Sequence, residues 1–248
     1  VADQCAPSRN ATNVYIKGMI SKFLAEGYVV IAPDYEGLGE PSGTELHPFL
    51  NVKSEGYSIT DAVVATRNWL GNKVSKKWVT VGHSQGGQAA LGAAQYADRA
   101  NLDYKGTVAV APASQLSLIL NAGQLSVIDG TPAQQIPVYA SLDTFTALIA
   151  AGLRNSNPTL DYSQVFKVPT DAIAKNAESV CYDTLGQQFG VAMGQYAAVN
   201  GSLKNYPRTT DTFMSLPVVK TFLEKDSQPL QVQIKTPVII YQGGADTT

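Results

Sequence analysis

One serine in this 248-residue sequence lies in a pattern that favours nucleophilic chemistry. Gly82-His83-Ser84-Gln85-Gly86 is a G-x-S-x-G segment, in which a sharp turn between a strand and a helix exposes the serine hydroxyl. So tight a turn needs small neighbours such as Gly82 and Gly86. The turn also points the backbone N–H of Gln85 at the oxygen that gains negative charge during acyl transfer. The pattern predicts Ser84 as a nucleophile and Gln85 as an oxyanion donor, with an ordinary Gly-rich turn as the alternative.

A serine nucleophile needs a base, and the base needs a carboxylate that orients it. In α/β-hydrolases, which carry this type of turn, the acid follows a late strand and the histidine comes after it in the chain. Gly243-Gly244-Ala245-Asp246 follows the apolar run Pro237–Tyr241, so Asp246 is the predicted acid. A turn aspartate is the alternative interpretation. No histidine follows Asp246 in this sequence.

The sequence contains two histidines, His47 and His83, that could serve as the base. His83 is adjacent to Ser84 in a turn that directs alternate side chains apart, which favours a supporting role beneath the loop. His47 lies in the loop after the first predicted strand and, as a base, would reverse the usual chain order. Alternatively, His47 fixes the turn at Pro48. Neither histidine fits the expected position of a base.

Short apolar runs predict the sheet that must position these residues. Four runs have the composition of strands that are buried on both faces, and they span residues 28–32, 78–81, 107–111 and 237–241. A helical pattern over residues 13–26 precedes the first run. Further helical patterns lie between the runs, one behind a capping-box sequence at Ser58–Asp61 and one over residues 88–96. This alternation predicts an α/β-hydrolase fold, with a mostly parallel sheet and helices on both faces.

The alternation stops between about Ser114 and Thr236, where helical patterns dominate. We interpret residues 115–233 as a helical cap inserted into a core formed by residues 1–114 and 234–248. Caps of this kind cover the carboxyl ends of parallel strands, where ligands bind. The amphipathic run from Phe213 to Leu223 is either a lid for a lipid–water interface or the return helix of the cap.

Composition argues against several classes of function. Lys and Arg number 18 against 20 Asp and Glu, a formal charge of −2, so no nucleic-acid partner is expected. Two cysteines and two histidines are too few for most metal centres, and neither a metal nor a cofactor is predicted. No apolar run approaches the ~20 residues of a transmembrane helix.

The predicted location is extracellular. The charged fraction is only 15%, the polar residues are mostly uncharged, and the first residue is Val rather than Met. Cys5 and Cys181 would pair in an oxidising compartment or else remain free and buried. The sequence does not decide between these alternatives, because pairing depends on a distance in space.

Several segments, in their order along the chain, resemble the secretory lipases, the lipase-A-like α/β-hydrolases of fungi and bacteria. They are Cys5–Ser8, Ala32–Gly39, His47-Pro48, Gly82–Gly87 and Gly243–Asp246. The resemblance covers nearly the whole chain apart from the variable cap. It implies hydrolysis of small ester or lipid substrates, typically acylglycerols, through an acyl-enzyme. By position, Ser84 would be the nucleophile and Asp246 the acid. Gln85 and Asp34 would form or support the oxyanion site, unless Asp34 only caps its turn.

The resemblance also implies motifs that this sequence does not contain. A His-Gly-Thr-type segment would precede Val1, and the catalytic histidine would follow Thr248. The chain is therefore expected to be an internal fragment without its general base, a loss that costs several orders of magnitude in rate.

Three classes of function are compatible with these features. The first is a serine esterase or lipase, and the second is another serine hydrolase, such as a peptidase or an aryl or polysaccharide esterase. The third is a non-catalytic binding module on the same scaffold. Ser84 and Asp246 both follow predicted strands, and a binding module has no need of a strained turn. The sequence therefore favours the first class.

Overall fold

The computed structural model describes residues 1–9, 14–43 and 45–246. Within them, the sheet has three parallel strands, β1 (Lys77–His83), β2 (Asp103–Val110) and β3 (Val238–Tyr241). The central strand is β2, whose Val108 lies opposite Val81 of β1 and Ile239 of β3. The predicted α/β class is therefore confirmed. Because the strands are parallel, all three end at the same edge of the sheet.

Helix α3 (Gln85–Gln95) covers one face of the sheet. Its small residues Ala89 and Ala93 are fully buried, which lets the helix approach the strands closely. The buried Thr80 of β1 donates a hydrogen bond to the carbonyl oxygen of Ala90, at 3.2 Å. This contact satisfies a polar group under the helix that begins at the predicted nucleophile.

The other face of the sheet is more open within the described residues. Val79, Ile239 and Tyr241 are exposed by 49%, 47% and 59%, respectively. Strand alternation places them on the side opposite Thr80 and α3. The described helices therefore pack mainly on one side of these strands.

Two further helices precede β1, α1 (Val14–Ala25) and α2 (Val52–Leu70). Helix α2 crosses α3 at a pair of glycines, where a Cβ on Gly56 would lie 2.7 Å from the carbonyl carbon of Gly92. Only residues without a Cβ permit this approach. Helix α1 forms where the sequence predicts it, but its apolar residues are largely exposed, as Leu24 is by 54%.

Two predictions from the sequence are wrong. Residues 28–32 form no strand, and Tyr28 is 55% exposed. An apolar run becomes a strand only beside a partner that completes its hydrogen bonds, and no described strand pairs with this run. The Ser58 capping box does not start α2, since Asn51 caps the helix earlier by accepting a hydrogen bond from the N–H of Ser54 at 3.0 Å.

The region predicted as a cap lies between β2 and β3 and is helical. Its α-helices are α4 (Leu116–Ser126), α5 (Pro132–Leu153), α6 (Tyr162–Val165), α7 (Thr170–Lys175), α8 (Tyr182–Asn200) and α9 (Pro217–Thr221). Helix α5 lies at the centre of the largest apolar core, with Ala147 and Leu148 almost completely buried. The buried Asp143 of the same helix pairs with Arg208 at 2.7 Å.

Helix α5 also has the length and hydropathy of a membrane-spanning segment, the one such helix among the described residues. However, 67% of its apolar window is buried inside the protein. That degree of burial is typical of a core helix, and its packing against α8 fits that assignment.

A disulfide bond joins Cys5 to Cys181, with 5.5 Å between the Cα atoms. Of the two alternatives that the sequence left open, paired cysteines or free and buried ones, the structure has the pair. The bond ties the N-terminal segment to the residue that precedes α8. The helical region between β2 and β3 is thus covalently attached to the beginning of the chain.

Replacing both Cys5 and Cys181 by serine should lower the free energy of unfolding. The two cysteines are 176 positions apart, and closing so long a loop restricts the unfolded chain, which predicts a loss of about 3–5 kcal/mol. Urea denaturation followed by circular dichroism measures the loss. Reduced wild-type protein should match the variant, whereas equal midpoints for the oxidised protein and the variant would contradict this account.

Candidate active site

The chain reverses direction at Ser84, between β1 and α3. Ser84 has φ = 55° and ψ = −119°, a strained conformation for an L residue. Backbone hydrogen bonds to the end of β2 and to the loop that follows it hold Ser84 in place. The N–H of Ser84 donates to the carbonyl oxygen of Val110 at 2.9 Å, and its own carbonyl oxygen accepts from the N–H of Ala113 at 3.3 Å. The strand–turn–helix geometry that the G-x-S-x-G pattern predicts is therefore present, and it leaves the serine exposed.

The two outer glycines of the turn differ in what they tolerate. A Cβ on Gly82 would overlap the carbonyl oxygen of Gly86, whereas a Cβ on Gly86 would meet nothing within 4 Å. The expectation that both positions must be small is therefore wrong for Gly86. Only at Gly82 does the backbone of the helix leave no room for a side chain.

Asp246 lies on the loop after β3, at the same edge of the sheet as Ser84. Its Oδ2 accepts a hydrogen bond from Nε2 of Gln242 at 2.8 Å, and its N–H donates to the carbonyl oxygen of Gly243 at 3.2 Å. Because β2 separates β1 from β3, the strands that lead to Ser84 and Asp246 are about 10 Å apart. An imidazole placed across that gap would link the hydroxyl to the carboxylate.

Asp34 supports the loop after the predicted first strand. Its Oδ1 accepts a hydrogen bond from the N–H of Ser8 at 3.0 Å, and its Oδ2 accepts from the hydroxyl of Ser8. An ionised carboxylate has no proton to donate to an oxyanion. A direct role in the oxyanion site would therefore have to come from the backbone N–H of Asp34.

His47 is buried beneath the turn, with 1% of its surface exposed. Its Nδ1 lies 2.8 Å from the carbonyl oxygen of Glu36 and its Nε2 lies 3.1 Å from Nε2 of Gln85. The neutral tautomer that satisfies both contacts carries its proton on Nδ1. Burial lowers the pKa of His47 to about 4. Both ring nitrogens are thus engaged, and His47 is a structural residue rather than a base.

His83 is the last residue of β1, where its side chain is exposed. It precedes Ser84, and strand alternation directs the two side chains apart. The structure therefore assigns neither histidine of the chain to the gap between Ser84 and Asp246.

A polar network below the turn was missed by the sequence analysis. The side chain of Gln85 donates to Oε1 of Glu55 at 2.8 Å, and the N–H of Leu50 reaches the same oxygen at 3.2 Å. Glu55 is completely buried, and its Oε2 has no hydrogen-bond partner. Burial raises the pKa of Glu55 to about 8. The buried site thus favours the neutral form of the Glu55 carboxyl group.

The sequence does contain a signal for Glu55. Helical spacing puts it on the same face of α2 as Val52, Gly56 and Thr60, all of which are buried. A lone acidic residue on an otherwise uncharged, buried helix face indicates a specific hydrogen-bond partner. The identity of that partner, Gln85, could not be deduced from spacing along the chain.

A cavity of about 620 Å³ lies in the helical region between β2 and β3 rather than at the turn. Tyr139, Asp143 and Arg208 are among the residues that line it. In the described parts of the chain, no group of three or more His, Cys, Asp or Glu side chains could hold a metal ion. The exposed hydroxyl of Ser84 is the candidate nucleophile at this turn.

Comparison with protein families gives a match to the family described as secretory lipase over residues 10–248. A search of curated proteins finds no match. The family match covers the turn, the network beneath it and Asp246.

Solved structures show the same fold at low sequence identity. A Legionella pneumophila protein classed as a hydrolase has a TM-score of 0.71 at 15% identity, over 99% of this chain and 63% of its own. Candida antarctica lipase A in its closed state has a TM-score of 0.68 at 18% identity, over 99% and 55%. The rice cell wall degrading esterase LipA from Xanthomonas oryzae has a TM-score of 0.58 at 18% identity, over 84% and 54%. The chain thus spans between half and two thirds of these proteins.

Gly82→Ala and Gly86→Ala should have opposite effects on stability. Alanine at Gly82 would overlap the backbone of Gly86, so the turn must open and the free energy of unfolding should fall by about 3 kcal/mol or more. Alanine at Gly86 enters open space within a helix, where it should stabilise by up to about 1 kcal/mol. Thermal denaturation of both variants measures these changes. Similar destabilisation by both would contradict the proposed steric difference.

Glu55→Gln should change how stability depends on pH. Burial raises the pKa of Glu55 to about 8 in the folded protein, whereas the ordinary pKa of a glutamate is 4.5. As the pH rises, the unfolded chain therefore releases this proton at a lower pH than the folded protein does. The free energy of unfolding of the wild type should therefore fall between about pH 5 and pH 8, by a few kcal/mol from this group. Glutamine removes that contribution, so the variant should gain stability relative to the wild type as pH rises.

Urea denaturation at pH 5 and pH 8 measures the difference, with Glu26→Gln, at the exposed residue that follows α1, as the matched control. The free energy of unfolding of the Glu26→Gln control should depend on pH as that of the wild type does. Parallel pH dependences for Glu55→Gln and the wild type would show that Glu55 is not held neutral.

Proposed function

The chain belongs to the secretory lipase family, and on this premise we propose that it is the core of a serine ester hydrolase that cleaves acylglycerol-type esters. The observation that carries the proposal is the strained Ser84 turn, held at the sheet edge that Asp246 shares. A turn that costs conformational energy persists where the exposed hydroxyl is used. The fold shared with a lipase and an esterase is consistent with this activity.

In the proposed reaction, Oγ of Ser84 attacks the ester carbonyl carbon while a base removes the hydroxyl proton. The carbonyl oxygen becomes an oxyanion, which the backbone N–H of Gln85 stabilises from the first turn of α3, where N–H groups have no partner within the helix. Collapse of the intermediate breaks the bond to the alcohol, which leaves with that proton. Water then releases the acid from Ser84 by the same steps.

The base is proposed to be an imidazole from outside this sequence. His47 is engaged at both ring nitrogens, and His83 points away from the serine. A ring placed in the gap of about 10 Å between the ends of β1 and β3 would receive the proton from Ser84 on one nitrogen and donate the other N–H to Asp246.

The proposed setting is extracellular, at a lipid–water interface. The Cys5–Cys181 disulfide fits an oxidising compartment. Helix α4, which follows β2 into the cap, exposes Leu118 by 63% and Leu125 by 62%. Helical spacing puts both leucines on one face, and such a ridge is suited to contact with an emulsified substrate.

Ser84→Ala in the complete protein should abolish ester hydrolysis. Losses of about 10⁴-fold or more in kcat are expected for Ser84→Ala and about 10³–10⁴-fold for Asp246→Asn. An emulsified triacylglycerol, a soluble aryl ester, an acetylated polysaccharide and a peptide amide would be assayed in parallel. Ser21→Ala and Asp183→Asn, both at exposed positions, are the matched controls and should retain activity.

The triacylglycerol is expected to be the best substrate of the panel. Hydrolysis that survives Ser84→Ala would refute the nucleophile. Cleavage of the amide or the polysaccharide in preference to the lipid would support the other serine hydrolases instead.

A further inference from the structure

We propose that Glu55 is a positioning residue for the oxyanion donor. Its buried carboxyl group holds the side chain of Gln85 and so fixes the backbone N–H of the same residue beside Ser84. The inference rests on the proposed function, because an oxyanion donor has a role only if Ser84 performs acyl transfer. Glu55 itself lies below the turn and is not assigned any contact with substrate.

The side-chain amide of Gln85 has two N–H groups, and the structure gives an acceptor to each. One acceptor is Oε1 of Glu55 at 2.8 Å, and the other is Nε2 of His47 at 3.1 Å. His47 can accept because its Nδ1 proton is directed to the carbonyl oxygen of Glu36, at 2.8 Å. The residue after the nucleophile is therefore held from below by two buried groups.

These groups are themselves held rigidly. A Cβ on Gly37 would lie 2.5 Å from the backbone nitrogen of His47, and one on Gly152 would lie 2.9 Å from its carbonyl oxygen. The loop with His47 is thus clamped between the loop before it and helix α5 of the cap. Glu55 is fixed by the contact between its neighbour Gly56 of α2 and Gly92 of α3. Rotating Gln85 away would leave buried polar groups unsatisfied, which is costly.

The environment of Glu55 favours its neutral form. Helix α3 presents the uncharged amide of Gln85 to Glu55, and the loop before α2 presents the N–H of Leu50. The neutral His47 binds the same amide. Tyr35 stacks on His47 with the ring centroids 6.0 Å apart. The pKa of Tyr35 is raised, mainly by burial and to a smaller extent by the negative charge that Glu55 carries when ionised.

No cation among the described residues pairs with Glu55. The carboxylate of Glu36, whose backbone carbonyl oxygen binds His47, is bound by the hydroxyl of Ser54. An ionised Glu55 would therefore place an uncompensated negative charge below a site that must stabilise an oxyanion. Activity should accordingly fall as the pH rises through about 8.

The test compares Glu55→Gln with Glu55→Ala in the complete protein. Glutamine keeps the acceptor for Gln85, cannot ionise, and should retain kcat within about 3-fold at pH 7 while losing the alkaline decline. Alanine removes the acceptor and should lower kcat by about 10- to 100-fold with little change in KM, because the loss is confined to the transition state. Thr60→Ala, a buried truncation further along α2 that bonds only within its own helix, should leave kcat unchanged.

Wild-type kcat in Glu55→Ala, or an alkaline decline that persists in Glu55→Gln, would overturn the inference. Equal losses of kcat in Glu55→Ala and Thr60→Ala would mean that Glu55 only contributes to packing. Hydrolysis that survives Ser84→Ala would instead overturn the proposed function, and amide hydrogen exchange would still test the contact.

The N–H of Gln88 donates to the carbonyl oxygen of Ser84 at 3.0 Å and reports on this turn directly. Its exchange should accelerate about 10-fold in Glu55→Ala, because the first turn of α3 opens more readily. It should not accelerate in Glu55→Gln. Unchanged exchange in Glu55→Ala would show that Glu55 does not hold the turn.

Discussion

The close approach of strand β1 to the first turn of α3 is the constraint on which the site depends. At position 82 the backbone of Gly86 leaves no space for a Cβ. The chain can turn within one residue because Gly82 has none. Ser84 absorbs the turn by adopting a left-handed φ of 55°. The serine hydroxyl, the start of the helix and the candidate oxyanion donor all take their positions from this single reversal. A side chain at Gly82 would displace all of them together.

A strained turn needs support from outside itself, and the structure supplies it on two sides. Along the sheet, β2 binds the backbone of Ser84 through Val110 and carries the parallel register from β1 to β3, which brings Asp246 to the same edge. Below the turn, Glu55 and His47 hold Gln85. Helix α5 takes part as well, because its Gly152 packs against the backbone of the His47 loop. The helical region between β2 and β3 and the sheet therefore act on the same few residues.

Local features of the site could be predicted from the sequence, whereas contacts between distant elements could not. The G-x-S-x-G pattern predicts its turn because that geometry depends on five consecutive residues. The apolar runs at β1, β2 and β3 predict the sheet edge that Ser84 and Asp246 share. The run at residues 28–32 has the same composition but no described partner strand, and composition cannot supply one. The bonds of Gln85 to Glu55 and His47 join three separate segments, so no spacing rule contains them.

Labelling with a fluorophosphonate probe, read out by intact mass, tests the central claim that Ser84 is an activated nucleophile. It requires only the complete protein and its Ser84→Ala variant, each shown to be folded by circular dichroism. We expect one probe adduct per molecule of the wild-type protein, and none in the Ser84→Ala variant. A folded wild-type protein that takes up no probe, or a variant that is still labelled, would contradict it.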